Sequence, residues 1–159
     1  MNLYFLRHGL AGDPEEWHDD DRLRPLTDDG KSKMAKSGEA IARLDLRIDL
    51  IITSPLTRAK QSAKIVAEKL KMNKSLLEDE RLAPGFNKNV LAEILKEYPE
   101  DESILLVGHE PDFSETVSSL IGGGDIVFKK GGLARVSISD KETLSGQLVW
   151  IIPPKLLAR

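Results

Sequence analysis

Three apolar segments of the chain are each followed at once by residues that can carry out chemistry. The segments span residues 3–6, 50–52 and 104–107, and each is short and continuously apolar, as in a strand that is buried on both faces of a sheet. Ligands of open α/β sheets bind beyond the carboxyl ends of the strands, so we expect the residues that follow to face one pocket. These residues are Arg7-His8-Gly9, then Thr53-Ser54-Pro55 with Arg58 shortly after, and Gly108-His109.

The residue types of this predicted pocket favour a phosphoryl group as its ligand. A phosphoryl group carries about two negative charges near neutral pH, and the planar guanidinium of arginine suits its oxygens. Arg58 falls in the first turn of a predicted helix, where an arginine is unusual unless an anion binds at the helix N-terminus. We therefore expect Arg7 and Arg58 to bind phosphate.

His8 is the candidate nucleophile of this pocket. Two flanking arginines disfavour the charged imidazole and so lower the pKa of His8, and the neutral imidazole is the form that attacks phosphorus. We expect a phosphohistidine intermediate, with His109 donating a hydrogen bond to the phosphate oxygens as charge spreads over them in the transition state. Gly9, which has no Cβ, is expected to let the backbone approach the ligand.

The composition excludes several other kinds of site. The 159 residues include no cysteine, which excludes a thiol nucleophile, a disulfide framework and cysteine-ligated metals. Three histidines with scattered carboxylates fit no standard metal-binding spacing, so we expect no metal and no cofactor. The net charge of −3 gives no basic surface for a nucleic acid partner.

Helical patterns alternate with the apolar segments along the chain. Apolar residues recur at helical spacing in residues 34–42, 59–70, 90–98 and 113–121, and two further strands are predicted at 133–138 and 148–152. Thr27 is the predicted N-cap of the first helix, and Ser54-Pro55 are the predicted N-cap and N1 of the second. This alternation indicates an α/β layered fold with a mostly parallel sheet.

The chain is expected to form a single domain, residues 1–159, because it contains no linker, internal repeat or low-complexity segment. The first residues lack the basic region and apolar run of a signal peptide, and no stretch approaches the ~20 apolar residues of a membrane span. We expect a cytoplasmic protein with no membrane partner.

Four segments in a fixed order carry a family resemblance. Leu6-Arg7-His8-Gly9 looks like an "RHG" element, and residues 107–110 (VGHE) look like a second-histidine element. Residues 54–62 (SPLTRAKQS) are similar to an "SP…RA.QT" helix with Ser62 in place of the usual threonine, and residues 24–30 (RPLTDDG) resemble an "RPLT..G" segment. Together they resemble the histidine phosphatase superfamily, also called the phosphoglycerate mutase-like fold, and the last segment resembles its small branch typified by the phosphohistidine phosphatase SixA. The resemblance extends from Leu3 to about Pro154.

The resemblance implies a three-layer α/β/α sandwich with a mostly parallel central sheet. It also implies that His8 is the phosphorylated residue and that Arg7, Arg58 and His109 form the phosphate pocket. Arg24 would be a further phosphate or substrate contact.

One departure from the family pattern concerns the general acid. Many members carry a glutamate acid after the second helix, where this chain has Pro84. Expelling an alkoxide needs a proton donor, typically worth 10²–10⁴-fold in rate, whereas phosphohistidine leaves as neutral imidazole once its far ring nitrogen is protonated. The missing acid therefore favours a phosphoramidate substrate, although Glu80, Glu110 or a carboxylate from residues 19–21 could still serve.

Two further features bear on the partner. Between the second helix and His109 there is room for one loop and one helix, so we expect an open pocket mouth that suits a phosphorylated side chain on a protein surface. The acidic stretch 13–21 is expected to rim this mouth, as a solvated loop or as a docking segment.

The sequence therefore predicts a monomeric, metal-independent phosphohistidine phosphatase that acts on a phosphorylated protein through phospho-His8. Two alternatives stay open. One is a phosphatase of the same superfamily for a small phosphomonoester, and the other is a module without turnover that recognises phosphorylated partners through Arg7, Arg58 and His109.

Overall fold

Six strands form one sheet at the centre of the computed structural model, which describes residues 1–159. They are β1 (Asn2–Arg7), β2 (Leu50–Thr53), β3 (Leu76–Glu78), β4 (Ser103–Gly108), β5 (Leu133–Asp140) and β6 (Ser145–Ile152). Their order across the sheet is β3-β2-β4-β1-β5-β6. The first four of this order pair in parallel, whereas β5 is antiparallel to β1 and β6 is antiparallel to β5. The predicted mostly parallel sheet is confirmed.

Helices cover both faces of this sheet. They are α1 (Asp28–Arg43), α2 (Thr57–Leu70), α3 (Lys88–Lys96), α4 (Asp112–Leu120) and the single turn α5 (Pro154–Leu157). The buried residues of α3 and α4 belong to one hydrophobic cluster, and those of α1, α2 and α5 belong to the other. The three-layer α/β/α architecture is confirmed. None of the five helices combines the length and the apolarity that crossing a membrane requires.

The period of two along a strand explains why the central strands are continuously apolar. In β1, Leu3 and Phe5 point into one cluster, whereas Tyr4 and Leu6 point into the other. All four side chains are buried, since each face of the strand is covered by helices. Complete burial of each such side chain contributes roughly 1.5–3 kcal/mol.

The observed start of α2 corrects the sequence-based prediction. Ser54 and Pro55 were expected as N-cap and N1, but α2 begins at Thr57, and Leu56 occupies the N-cap position without a side-chain hydrogen bond. The Ser54 hydroxyl is used differently: its Oγ accepts a hydrogen bond from the N–H of Leu56 and bonds to His109. The first helix does begin as predicted, because the Thr27 side chain accepts a hydrogen bond from the N–H of Gly30.

A short edge strand, β3, was absent from the prediction. It has three residues, and two of them are exposed, so its sequence carries no alternation of apolar and polar residues. Its pairing with β2 places it at one edge of the sheet.

We predict that Gly108→Ala destabilises the fold at the end of β4. A Cβ at this position would lie 2.7 Å from Cζ of Phe113, a fully buried ring that packs edge-on against Phe5. Because the ring is enclosed, we expect a loss of about 1–3 kcal/mol in the free energy of unfolding, measured by urea denaturation. Gly12→Ala is the matched control, since a Cβ there meets nothing within 4 Å. Equal unfolding midpoints for the two variants would contradict this packing argument.

Candidate active site

The ends of three neighbouring strands bring the candidate residues together. In the register of the parallel pairs, Arg7 lies opposite Gly108 and Thr53 lies opposite Val107. Because β4 lies between β2 and β1, the residues that directly follow these three strands are neighbours at one edge of the sheet. They are Ser54, His109 and His8, and all three are buried. The ring centroids of His8 and His109 are 5.3 Å apart.

The hydrogen bonding of His8 identifies its free nitrogen. Nδ1 lies 2.7 Å from the carbonyl oxygen of Gly9, and a carbonyl can only accept, so Nδ1 carries the proton. The lone pair of the neutral ring is therefore on Nε2. The pKa of His8 is lowered from 6.5 to about 3, mainly by burial and then by the charges of His109, Arg58 and Arg7. The pKa of His8 is lowered, as predicted, but burial lowers it more than the charges of the arginines do.

His109 is oriented by Ser54. The Oγ of Ser54 lies 2.7 Å from Nε2 of His109 and already accepts a hydrogen bond from the N–H of Leu56. The hydroxyl can donate its own proton to Nε2, and in that tautomer the proton of the neutral His109 ring is on Nδ1. This Nδ1 is buried and has no acceptor in the protein. Burial, followed by the charge of Arg58, lowers the pKa of His109 to about 4.

Arg7 and Arg58 each use part of their guanidinium group for structure. Nη1 of Arg7 donates to the carbonyl of Phe128 at 2.8 Å. Nη1 and Nη2 of Arg58, in the first turn of α2, donate to the backbone carbonyl and the carboxylate of Asp21 at 2.8 and 3.1 Å. The Nε atom of each arginine is buried without an acceptor. Such donors require an acceptor, and the oxygens of a bound anion would supply it.

Arg24 lies beside Arg58 through a shared carboxylate. Its Nε donates to Oδ1 of Asp21 at 3.0 Å, and its Nη1 donates to the carbonyl of Gly12 at 2.6 Å. Asp21 thus bridges Arg24 to Arg58, and the charge of Arg24 also helps to lower the pKa of His109.

Gly9 also has a structural role that we did not predict. A Cβ at Gly9 would lie 3.1 Å from Cε of Met34 and 3.4 Å from Leu26, so the missing side chain leaves room for these core side chains. Its carbonyl holds His8, and its N–H donates to Oγ of Ser62 at 3.0 Å. Ser62 in turn donates to the carbonyl of Arg58 at 2.8 Å, which ties the loop after β1 to the first turn of α2.

The carboxylates considered as proton donors are held in different places. Glu110 accepts hydrogen bonds from the N–H and the hydroxyl of Ser114 at the start of α4. Glu80 pairs with Arg22 on the surface. Of the candidates, Asp21 is bonded to a residue of the pocket, and the bonds to Arg24 and the charge of Arg58 lower its pKa.

Sequence reasoning missed the individual roles of Ser54, Ser62 and Asp21. Ser54 directly follows an apolar segment, the same signal that singled out His8 and His109, but it was interpreted as a helix cap. Asp21 was one member of an acidic stretch, and nothing in its spacing distinguishes it from Asp19 or Asp20. No three histidine or acidic side chains of the chain gather in a group that could hold a metal ion.

Comparison with known sequences gives two matches. Residues 3–84 match the sequence profile of the histidine phosphatase superfamily (branch 1). An uncharacterized protein of Picosynechococcus sp. is 31% identical over 168 aligned positions, which cover 96% of this chain and 100% of that protein.

Comparison with solved structures gives the same fold. The protein histidine phosphatase SixA, in complex with tungstate, superposes with a TM-score of 0.87 at 24% identity, over 99% of each chain. A mycobacterial glucosyl-3-phosphoglycerate phosphatase superposes with a TM-score of 0.72 at 17% identity, over 93% of this chain and 96% of its own. At these identities the two likenesses establish the architecture and leave the substrate open.

Acidification is expected to destabilise the protein through its buried imidazoles. The folded-state pKa values of His8 and His109 lie below the ordinary value of 6.5, so their contribution to stability is present above pH 6.5 and is lost as the pH falls towards 4. At pH 5 each of these two histidines lowers the free energy of unfolding by roughly 2 kcal/mol relative to pH 7.5. Between pH 7.5 and pH 5 the free energy of urea unfolding should fall in both proteins. The fall should be about 2 kcal/mol smaller in His8→Gln than in the wild type, because the variant lacks one of the two buried imidazoles.

The exposed His18 provides the control for this comparison. His18→Gln should show the wild-type difference between the two pH values. An equal pH dependence in His8→Gln and the wild type would show that His8 is not held neutral by the fold.

Proposed function

The chain is a phosphatase of the histidine phosphatase superfamily, and we propose that it hydrolyses protein phosphohistidine through a phosphorylated His8. One observation carries the proposal. The bond from Nδ1 of His8 to the Gly9 carbonyl leaves Nε2 as a neutral nucleophile, beside buried N–H groups that have no acceptor in the protein. This combination suits attack on a bound phosphoryl group.

In the first step, the lone pair on Nε2 of His8 attacks phosphorus. A bond forms between phosphorus and Nε2, and the bond from phosphorus to the substrate's ring nitrogen breaks. The electron pair of that bond stays on the substrate ring. Because the ring is protonated on its far nitrogen, it leaves as neutral imidazole, and no protein group has to supply a proton at this stage.

Charge on the phosphoryl oxygens is stabilised by three donors. The Nε atoms of Arg7 and Arg58 and Nδ1 of His109 are buried and free of protein acceptors. Fixed donors in a desolvated site need no reorganisation during the reaction, and removal of one such donor typically costs about 10²–10³-fold in rate. The guanidinium charges supply the electrostatic stabilisation in this metal-independent mechanism.

In the second step, water attacks phosphorus on phospho-His8. The bond between phosphorus and Nε2 breaks, its electron pair returns to His8, and the two protons of the water end on the released phosphate. The Gly9 carbonyl keeps the proton on Nδ1, so His8 also leaves as a neutral imidazole. The same hydrogen bond thus makes His8 a nucleophile in the first step and a leaving group in the second.

The segment between α2 and β4 supports a phosphorylated protein side chain as the substrate. Between the end of α2 at Leu70 and the start of β4 at Ser103, the chain forms only the short strand β3, the helix α3 and turns. The helix α3 packs into the hydrophobic core and β3 pairs at the sheet edge, so both belong to the sandwich rather than to an added cap. Pro84 stands where many family members have an acid, which disfavours an alkoxide leaving group and agrees with a phosphoramidate substrate.

The proposal is tested by turnover of two substrates in the presence of a chelator. We expect the wild type to release phosphate rapidly from a labelled phosphohistidine peptide and slowly from a phosphoserine peptide. His8→Ala should lose more than roughly 10³-fold of the activity, and His18→Ala should keep it. Quenched reactions should contain a protein-bound label that is acid-labile and base-stable.

Two results would contradict the proposal in different ways. Release from the phosphomonoester alone would assign the protein to the phosphomonoesterases. Tight binding of the phosphohistidine peptide without release would indicate a recognition module.

A further inference from the structure

Asp21 is the carboxylate on which two of the candidate phosphate-binding arginines meet. Its Oδ1 accepts from Nε of Arg24 at 3.0 Å, and its Oδ2 accepts from Nη2 of Arg58 at 3.1 Å. Its backbone carbonyl accepts from Nη1 of Arg58 at 2.8 Å. These bonds hold the end of the acidic stretch 13–21 against the pocket.

The exposure of these side chains shows on which side of the pocket Asp21 lies. The Arg58 side chain is 7% exposed, whereas that of Asp21 is 59% exposed. Asp21 therefore lies between the buried guanidinium and solvent. A substrate that extends from Arg58 towards solvent on this side would meet this carboxylate.

Arg58 can serve the carboxylate and a phosphoryl group at once. Asp21 accepts hydrogen bonds from Nη1 and Nη2 of Arg58, whereas Nε of Arg58 is buried without an acceptor. A phosphoryl group bound on the Nε edge would share the guanidinium with Asp21. The leaving group attached to that phosphoryl group would then lie within reach of the exposed side of the carboxylate.

The ionisation state of Asp21 restricts what it can do there. The hydrogen bond from Arg24, together with the nearby charge of Arg58, lowers the pKa of the Asp21 carboxyl group. At neutral pH the group is a carboxylate, which accepts hydrogen bonds and cannot donate a proton to an alkoxide.

We propose that Asp21 is a specificity-determining residue that accepts the ring N–H of the leaving imidazole and so selects phosphohistidine over phosphomonoesters. The inference rests on the proposed function. A protonated phosphohistidine ring offers an N–H at its far nitrogen, and a carboxylate stabilises that charged donor. An ester leaving group offers no N–H, and its developing oxyanion is repelled by the carboxylate.

The proposed contact keeps the proton balance of the reaction. The proton stays on the far ring nitrogen while the bond from phosphorus to the near nitrogen breaks, and the ring departs neutral. Asp21 would do for the substrate's imidazole what the Gly9 carbonyl does for His8, which is to hold a proton on the nitrogen that is not bonded to phosphorus.

The test compares three proteins on two substrates. Asp21→Asn keeps the size of the side chain and one carbonyl acceptor but removes the charge. Glu142→Gln is the matched control, because Glu142 is an exposed acid in the turn between β5 and β6 and bonds to neither arginine. The substrates are a phosphohistidine peptide and p-nitrophenyl phosphate, whose leaving group needs no proton.

We expect Asp21→Asn to lower kcat/KM for the phosphohistidine peptide by roughly ten- to hundredfold, the value of a hydrogen bond to a charged group. Because Asp21 also holds Arg58, activity on p-nitrophenyl phosphate should fall as well, but the ratio of the two activities should shift by about tenfold or more against the phosphohistidine peptide. Glu142→Gln should leave both activities unchanged. The basic limb of kcat against pH for the peptide should also move to lower pH in Asp21→Asn, because the carboxylate no longer favours the protonated ring.

Three outcomes would overturn the inference. An equal loss on both substrates would show that Asp21 only positions Arg58, and no loss on the peptide would show that it has no contact with the leaving group. A wild-type protein that cleaves the ester but not the phosphohistidine peptide would overturn the proposed function itself, and with it this inference.

Discussion

The proposed chemistry depends on one buried hydrogen bond, from Nδ1 of His8 to the carbonyl of Gly9. Burial lowers the pKa of His8 to about 3, so the ring is neutral near neutral pH. A neutral ring has a single proton, and the carbonyl fixes it on Nδ1. The lone pair that we propose as the nucleophile is thereby placed on Nε2 without any help from a neighbouring acid or base.

The rest of the fold supplies the surroundings that this bond requires. Parallel pairing of β1, β4 and β2 sets His8, His109 and Ser54 side by side, and helices on both faces of the sheet exclude water from the strands. Burying guanidinium groups is costly unless they are paired. Asp21 offsets that cost for Arg58, and the Phe128 carbonyl offsets part of it for Arg7, so the arginines stay in place while keeping their Nε edges free.

The sequence predicted the architecture well because the signals for it are local and repeated. Continuous apolar segments followed by Arg7-His8 and Gly108-His109 mark strand ends, and strand ends of a parallel sheet meet at one edge. What could not be predicted depends on contacts across the chain. Asp21 and Arg58 are 37 residues apart, Ser54 and His109 are 55 residues apart, and Gly9 and Ser62 are 53 residues apart. Likewise, the three residues of β3 form a strand only because β2 offers a free edge.

A crystal structure of the protein with vanadate bound would test the role of His8 most directly. We expect a bond from vanadium to Nε2 of His8, with Nδ1 still donating to the Gly9 carbonyl. We also expect vanadate oxygens within hydrogen-bond distance of the Nε atoms of Arg7 and Arg58 and of Nδ1 of His109. Vanadium bonded to Nδ1, or an anion that contacts neither guanidinium Nε, would contradict this role.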